Sequence, residues 1–247
     1  MENAPRALIA GLGLIGRSIG MALRARGWRI AYLDPNVELK DAQRVKAADE
    51  RVESIDTASD IFILATPVDV AIKLLGTGHK ALGTSVCSVM QPFKAPNFVA
   101  GHPLAGSHEH GLAAARADLF RDQLWFLERH DELVDRIVRD CGARMEIVDP
   151  EEHDAAVALT SHLPQLLSTA LAAYLEQQNI DPRFAGSGLR TFLRLAASDA
   201  SVWMPVFEAN RENITRHAAA VEEIAGEILR GDAQAFERAQ RLWSRLK

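Results

Sequence analysis

Ala7-Leu8-Ile9-Ala10-Gly11-Leu12-Gly13-Leu14-Ile15-Gly16 is the stretch on which the fold turns. Four apolar residues read as a buried strand, three glycines follow at Gly-x-Gly-x-x-Gly spacing, and Leu14 to Arg26 continues at helical periodicity. Each glycine has a task in such a turn. Gly11 permits the tight bend, Gly13 lets the backbone approach a pyrophosphate, and Gly16 lets the helix lie close on the strand, while the helix N-terminus offers amide donors. Leu12, Leu14 and Ile15 fill the intervening positions of this cofactor-contacting loop. Asp34 stands 23 residues after Gly11, at the end of the next apolar run. An acid there accepts hydrogen bonds from a ribose diol and repels a 2′-phosphate, so the expected cofactor is NAD rather than NADP. Ala65, Thr66 and Pro67 end a later strand on the side where nicotinamide contacts are expected, although a proline opening a helix explains the same residues structurally.

Outward from this loop, short apolar runs alternate with helical patterns: Ala7 to Ala10, Ile30 to Leu33, Ile61 to Ala65, Ser85 to Val89, and Phe98 to Gly101. That rhythm predicts a parallel α/β sheet. Leu124 to Leu127 and Met145 to Val148 read as further strands around a helix from Asp131 to Cys141. After Asp149-Pro150 the pattern changes, and the segments 151–178, 188–197, 202–229 and 233–246 all read as helices. The expected architecture is therefore α/β: a Rossmann-type parallel-sheet domain over residues 1–149, then an all-α domain over 150–247. The helices of the second domain carry more apolar residues than so small a bundle buries alone, which points to a homodimer.

Bulk properties narrow the partners. A net charge of −5 argues against nucleic acid, which wants clustered Lys and Arg, and favours a small-molecule site. No uninterrupted apolar stretch of about 18 residues is present and the N-terminus lacks a signal-peptide pattern, so the expectation is a cytoplasmic protein without membrane contact. Cys87 and Cys141 are far apart and form no Cys-x-x-Cys pair, so neither a disulfide framework nor a metal site is indicated.

Three further clusters suit chemistry. Gly101-His102-Pro103-Leu104-Ala105-Gly106-Ser107 places a histidine at a strand end on the ligand edge of the sheet. Ser161-His162-Leu163-Pro164 places a proline inside a helical pattern, where a kink is expected to aim His162 inward. Arg190 and Arg194 lie four apart in 188–194, on one face of the expected helix, where two cations suit an anionic ligand. Taken singly, a structural histidine, a kinked core helix and a solvated basic face explain each cluster as well.

Together, and in this order, the glycine fingerprint, Gly-His-Pro-x-Ala-Gly, Ser-His-Leu-Pro and the arginine segment running to Ser198-Asp199 resemble the prephenate and arogenate dehydrogenases over nearly the whole chain. The resemblance implies a nucleotide-binding domain followed by a helical substrate and dimerisation domain, and an NAD-dependent oxidative decarboxylation of prephenate to 4-hydroxyphenylpyruvate in tyrosine biosynthesis. It implies His102 as the base, Ser88 on the reacting hydroxyl or nicotinamide, Arg194 on the ring carboxylate and His162 on the substrate side chain. Ser107 and Arg190 follow in second rank, Arg190 acting across a dimer interface.

The chain departs from the family around Ser88. Relatives carry Asp-x-Gly-Ser-x-Lys, whereas here the segment reads Ser85-Val86-Cys87-Ser88-Val89-Met90. The stretch from Met90 to Phe98, with Pro92 and Pro96, is also too short for the sheet-covering helix of relatives. Alternatives that stay open are arogenate or another amino-substituted analogue as substrate and, in a different class, a non-catalytic NAD-binding module. A 3-hydroxyacid dehydrogenase would need a catalytic lysine, and none occurs between Lys94 and Lys247.

Overall fold

Apolar runs that must be covered on both faces become the inner strands of a parallel sheet. The computed structural model describes residues 4–77, 81–105 and 114–246. In it β1 (Arg6–Ala10), β2 (Arg29–Leu33), β3 (Glu50–Arg51), β4 (Ile61–Leu64), β5 (Leu82–Ser85) and β6 (Phe98–Val99) form one sheet in the order β3-β2-β1-β4-β5-β6. All its pairings are parallel. The helices α1 (Leu14–Arg24), α2 (Leu39–Arg44) and α3 (Val68–Leu75) lie on the crossovers. Strand order reverses between β1 and β4, which puts a ligand crevice at their carboxyl ends.

Alternation along β1 separates two apolar layers. Ala7 and Ile9 join Ile19, Leu23, Trp28 and Ile63 on one face, and Leu8 and Ala10 join Phe62, Leu64, Phe93 and Phe98 on the other. β7 (Gly101–Pro103) leaves this sheet and begins a second one with β8 (Leu124–Leu127) and β9 (Arg144–Ile147); β7–β8 is antiparallel and β8–β9 parallel. Between β8 and β9 runs α4 (Glu132–Asp140), whose first-turn amides of Leu133 and Val134 are capped by Asp131.

Several expectations need correction. The run Phe98 to Gly101 is divided between the two sheets, so the strands do not make a single sheet. The fifth strand ends at Ser85, where the sequence pattern has it beginning. Gly83 explains the shift: it lies flat beneath Phe62, and a Cβ there would meet the ring at 2.1 Å, so the residue that weakens the strand signal is the one the packing demands. As the prolines predict, no helix forms between Met90 and Phe98. The sheet face is covered instead by the buried side chains of Met90 and Phe93, together with Val206 from α8 (Ala200–Ala209).

The polypeptide divides into two compact units, Met1–Asp154 with Ala200–Ala209, and Ala155–Asp199 with Asn210–Lys247. This division falls inside α5 (Pro150–Val157), five residues past the expected 149/150 boundary, and α8 groups with the first unit. The helices of the second are α6 (Leu163–Gln177), α7 (Ser187–Phe192), α9 (Arg211–Leu229) and α10 (Gln234–Arg245). The expected helix 188–197 tightens to a 3-10 turn over Leu193–Ala197, and 202–229 breaks at Asn210. Beside Pro164 the expected break in regular helix takes the form of a π-helical turn over Ala158–His162, which runs directly into α6. No described helix is long and apolar enough to cross a membrane.

Candidate active site

The glycine loop has the form its spacing predicts. Gly11 adopts φ +91°, and a Cβ there would meet the Ala65 carbonyl oxygen at 2.6 Å, so the ends of β1 and β4 touch through a residue without a side chain. A Cβ on Gly16 would lie 2.0 Å from the Gly11 oxygen, which fixes helix on loop. At Gly13 a Cβ would meet nothing within 4 Å, so the loop backbone borders open space there. Leu14 and Ile15 are half-buried and Leu12 is buried.

Asp34 is held ready at the rim of this loop. Its Oδ2 accepts from the Leu12 amide at 2.8 Å and its Oδ1 from Asn36 at 2.8 Å. Arg17, which the sequence reading did not single out, is buried under the loop and donates from Nε to the Leu12 carbonyl at 2.7 Å. Ala65, Thr66 and Pro67 follow β4 at the same crevice, with Ala65 donating to the Ala10 carbonyl at 2.7 Å. These features fit a dinucleotide: a cradle without side chains, a helix N-terminus and an oriented carboxylate.

Ser88 lies in the turn after β5 and is half-buried, whereas Val86, Cys87, Val89 and Met90 on either side are buried. Cys87 is not a competing nucleophile, since burial pushes its thiol up to about 12. The turn is brought to His102 by Ser85, whose Oγ accepts from the Gly101 amide at 3.2 Å. His102, half-buried in β7, pairs across the ladder with Phe126.

Two residues absent from the sequence reading complete the cluster. His102 Nδ1 lies 3.0 Å from His153 Nε2, and His153 Nδ1 lies 2.8 Å from Asp154 Oδ1. The same carboxylate accepts from the Met90 amide at 2.8 Å and the Gln91 amide at 3.0 Å. His153 and Asp154 are both 2% exposed. In sequence they read only as two polar residues of a helical first turn, Glu151-Glu152-His153-Asp154; their 51-residue separation from His102 hides the contact.

In the second unit, His162 is buried in the π turn, with Nδ1 3.2 Å from Asn210 Nδ2. Arg194 is exposed in the 3-10 turn, which is gripped from α6: Gln165 Nε2 donates to the Leu195 carbonyl at 2.9 Å and Ser168 Oγ to the Phe192 carbonyl at 2.8 Å. Gln165 and Ser168 are likewise missing from the sequence reading. Arg190 belongs to α7, not to a continuous helix shared with Arg194, and its Nε bonds the Ala185 carbonyl. Ser107 lies outside the described residues.

Comparison with known proteins identifies the family of the chain. The family model described as "Prephenate dehydrogenase, nucleotide-binding domain" matches residues 19–147, and "Prephenate dehydrogenase, dimerization domain" matches 149–240. The chain belongs to the prephenate dehydrogenase family. A prephenate dehydrogenase of Lactococcus lactis is 30% identical over 93% of this chain and 73% of its own length. One of Bacillus subtilis is 31% identical over 84% of the chain, which spans 64% of that relative. A crystal structure of the Aquifex aeolicus prephenate dehydrogenase, in complex with hydroxyphenyl propionate and NAD+, superposes with TM-score 0.84 at 25% identity, covering 98% of this chain and 97% of that one.

Proposed function

We propose that this chain is an NAD-dependent dehydrogenase that converts prephenate to 4-hydroxyphenylpyruvate, a step of tyrosine biosynthesis, with His102 as general base. The observation that carries the reading is the buried Asp154–His153–His102 series ending beside the turn of Ser88, in a fold whose glycine cradle fits a dinucleotide. Membership of the family and its relatives' names support it.

NAD, held by Gly11 to Gly16, Asp34 and the Ala65–Pro67 turn, supplies the hydride acceptor when bound. His102 takes the proton from the substrate's ring hydroxyl as hydride leaves the same carbon, giving a carbonyl. The bond to the ring carboxylate then breaks with its electron pair entering the ring, so carbon dioxide departs and the ring becomes a phenolate, which takes back the proton held by His102 to give the phenol. Ser88 hydrogen-bonds the reacting hydroxyl, Arg194 pairs with the ring carboxylate and His162 contacts the side chain. Arg190 and Ser107 stand behind these in the same role of anion and polar contact.

Dimerisation belongs to the same proposal: the match to a dimerization domain and the exposed Leu229, Phe236, Trp243 and Leu246 support a homodimer. So does a cytoplasmic setting, where thiols such as Cys87 and Cys141 stay reduced. The deciding experiment gives purified protein NAD with prephenate or with arogenate and follows absorbance of the reduced cofactor. Prephenate is expected to show the higher kcat/KM. NAD binding without reduction by either substrate would reject the enzyme in favour of a binding module.

A further inference from the structure

We propose that His153 and Asp154 are positioning residues that decide which nitrogen of His102 accepts the substrate proton, and that the same carboxylate keeps the Ser88 turn in register with that base. The proposal rests on the function above only in naming His102 as the base.

The assignment follows from counting donors. An ionised carboxylate only accepts, and Asp154 accepts from Met90 and His153 Nδ1 at one oxygen and from Gln91 at the other. His153 therefore carries hydrogen on Nδ1. A neutral imidazole has a single N–H, so His153 Nε2 holds a lone pair and accepts from His102 Nδ1 at 3.0 Å. His102 in turn keeps its lone pair on Nε2, the atom that takes the hydroxyl proton. The opposite polarity, with His153 doubly protonated, would have Nε2 of His153 donating to His102 Nδ1; His102 Nε2 would then carry hydrogen and could not act as a base. Orientation of a catalytic imidazole by a buried hydrogen-bonded partner is a general device.

Geometry protects this polarity. The two imidazoles meet edge to face, centroids 5.1 Å apart and planes at 88°, and Phe126 lies against His153 at 5.5 Å. With His153 and Asp154 2% exposed, water has little access to compete for either hydrogen bond. When His102 accepts the proton, an N–H bond forms at Nε2 as the substrate O–H breaks. The new positive charge is then separated from the Asp154 carboxylate by one neutral ring, and no second proton has to move. Meanwhile the amides of Met90 and Gln91, two and three residues beyond Ser88, are fixed to the very carboxylate that polarises the base. This clamp holds the turn beside β7.

Two measurements test the proposal. Long-range 15N–1H correlation spectra of the labelled protein at neutral pH report histidine tautomers directly; both His102 and His153 are expected with hydrogen on Nδ1, and a His102 with hydrogen on Nε2 overturns the proposal whatever the enzyme turns over. Kinetically, His153→Gln keeps a carbonyl able to accept from His102, whereas His153→Leu keeps bulk and loses the acceptor. The leucine variant is expected to lose about 100-fold or more in kcat with KM and NAD affinity near wild type, and the glutamine variant to recover part of that loss. Equal kcat in the two variants at matched thermal stability would reduce His153 to packing and overturn the proposal. An intact protein inert toward both prephenate and arogenate would reject the function instead, while the spectra still decide the tautomer.

Discussion

His102 shows how far a single residue can be read from sequence. In sequence its place just past an apolar run and its Gly-His-Pro setting mark it, although it lies within β7; the two groups behind it are 51 and 52 residues away and carry no motif of their own. Replacing it tests its role: His102→Asn is expected to abolish NAD reduction with prephenate while cofactor affinity, measured by fluorescence titration, changes little. Gly16→Ala should do the reverse of a mild change, because its Cβ would need to sit 2.0 Å from a backbone oxygen; both NAD binding and thermal stability are expected to fall. The glycines were legible because their constraint is local backbone geometry. Arg17 was not, because burial of a guanidinium under a loop is decided by the neighbours that the fold supplies.

Among elements, the helical and strand stretches were read as such, but their ends were not, and 202–229 is two helices parted at Asn210. Ser85 to Val89 is rich in strand-favouring side chains, yet pairing stops at Ser85 because β4 stops beside it at Leu64. The missing helix between Met90 and Phe98 was legible from its prolines, but what replaces it was not, since Val206 arrives from more than 100 residues downstream. Phe93 carries much of that cover, and Phe93→Ala is expected to cost about 3–5 kcal/mol in chemical denaturation. In the second unit the 3-10 turn bearing Arg194 hangs on two side chains of α6. Gln165→Leu removes the bond to the Leu195 carbonyl, and is expected to raise KM for prephenate about tenfold with NAD affinity unchanged. An unchanged KM would separate the grip on this turn from substrate binding.

At the scale of the whole molecule, the sequence announced two kinds of architecture and placed their change near residue 150, because helical and strand periodicities differ over long windows. That α8 would rejoin the first unit could not be read, for its apolar residues suit any partner. Oligomeric state is the property most open to test at this scale. Placing charge in the exposed apolar row of α10, as in Phe236→Glu with Trp243→Glu, is expected to leave a folded monomer in sedimentation equilibrium; a persistent dimer would locate the interface elsewhere. The π turn at Ala158–His162 has a wider consequence. A π turn is one surplus residue threaded into a helix, so deleting a residue there would let an unbroken α-helix form. That more regular helix would turn His162 and α6 together by about 100° relative to the residues before the π turn, and carry His162 away from its Asn210 neighbour. Gln165 and Ser168 would swing away from the turn they hold, and a locally better helix would make a worse enzyme.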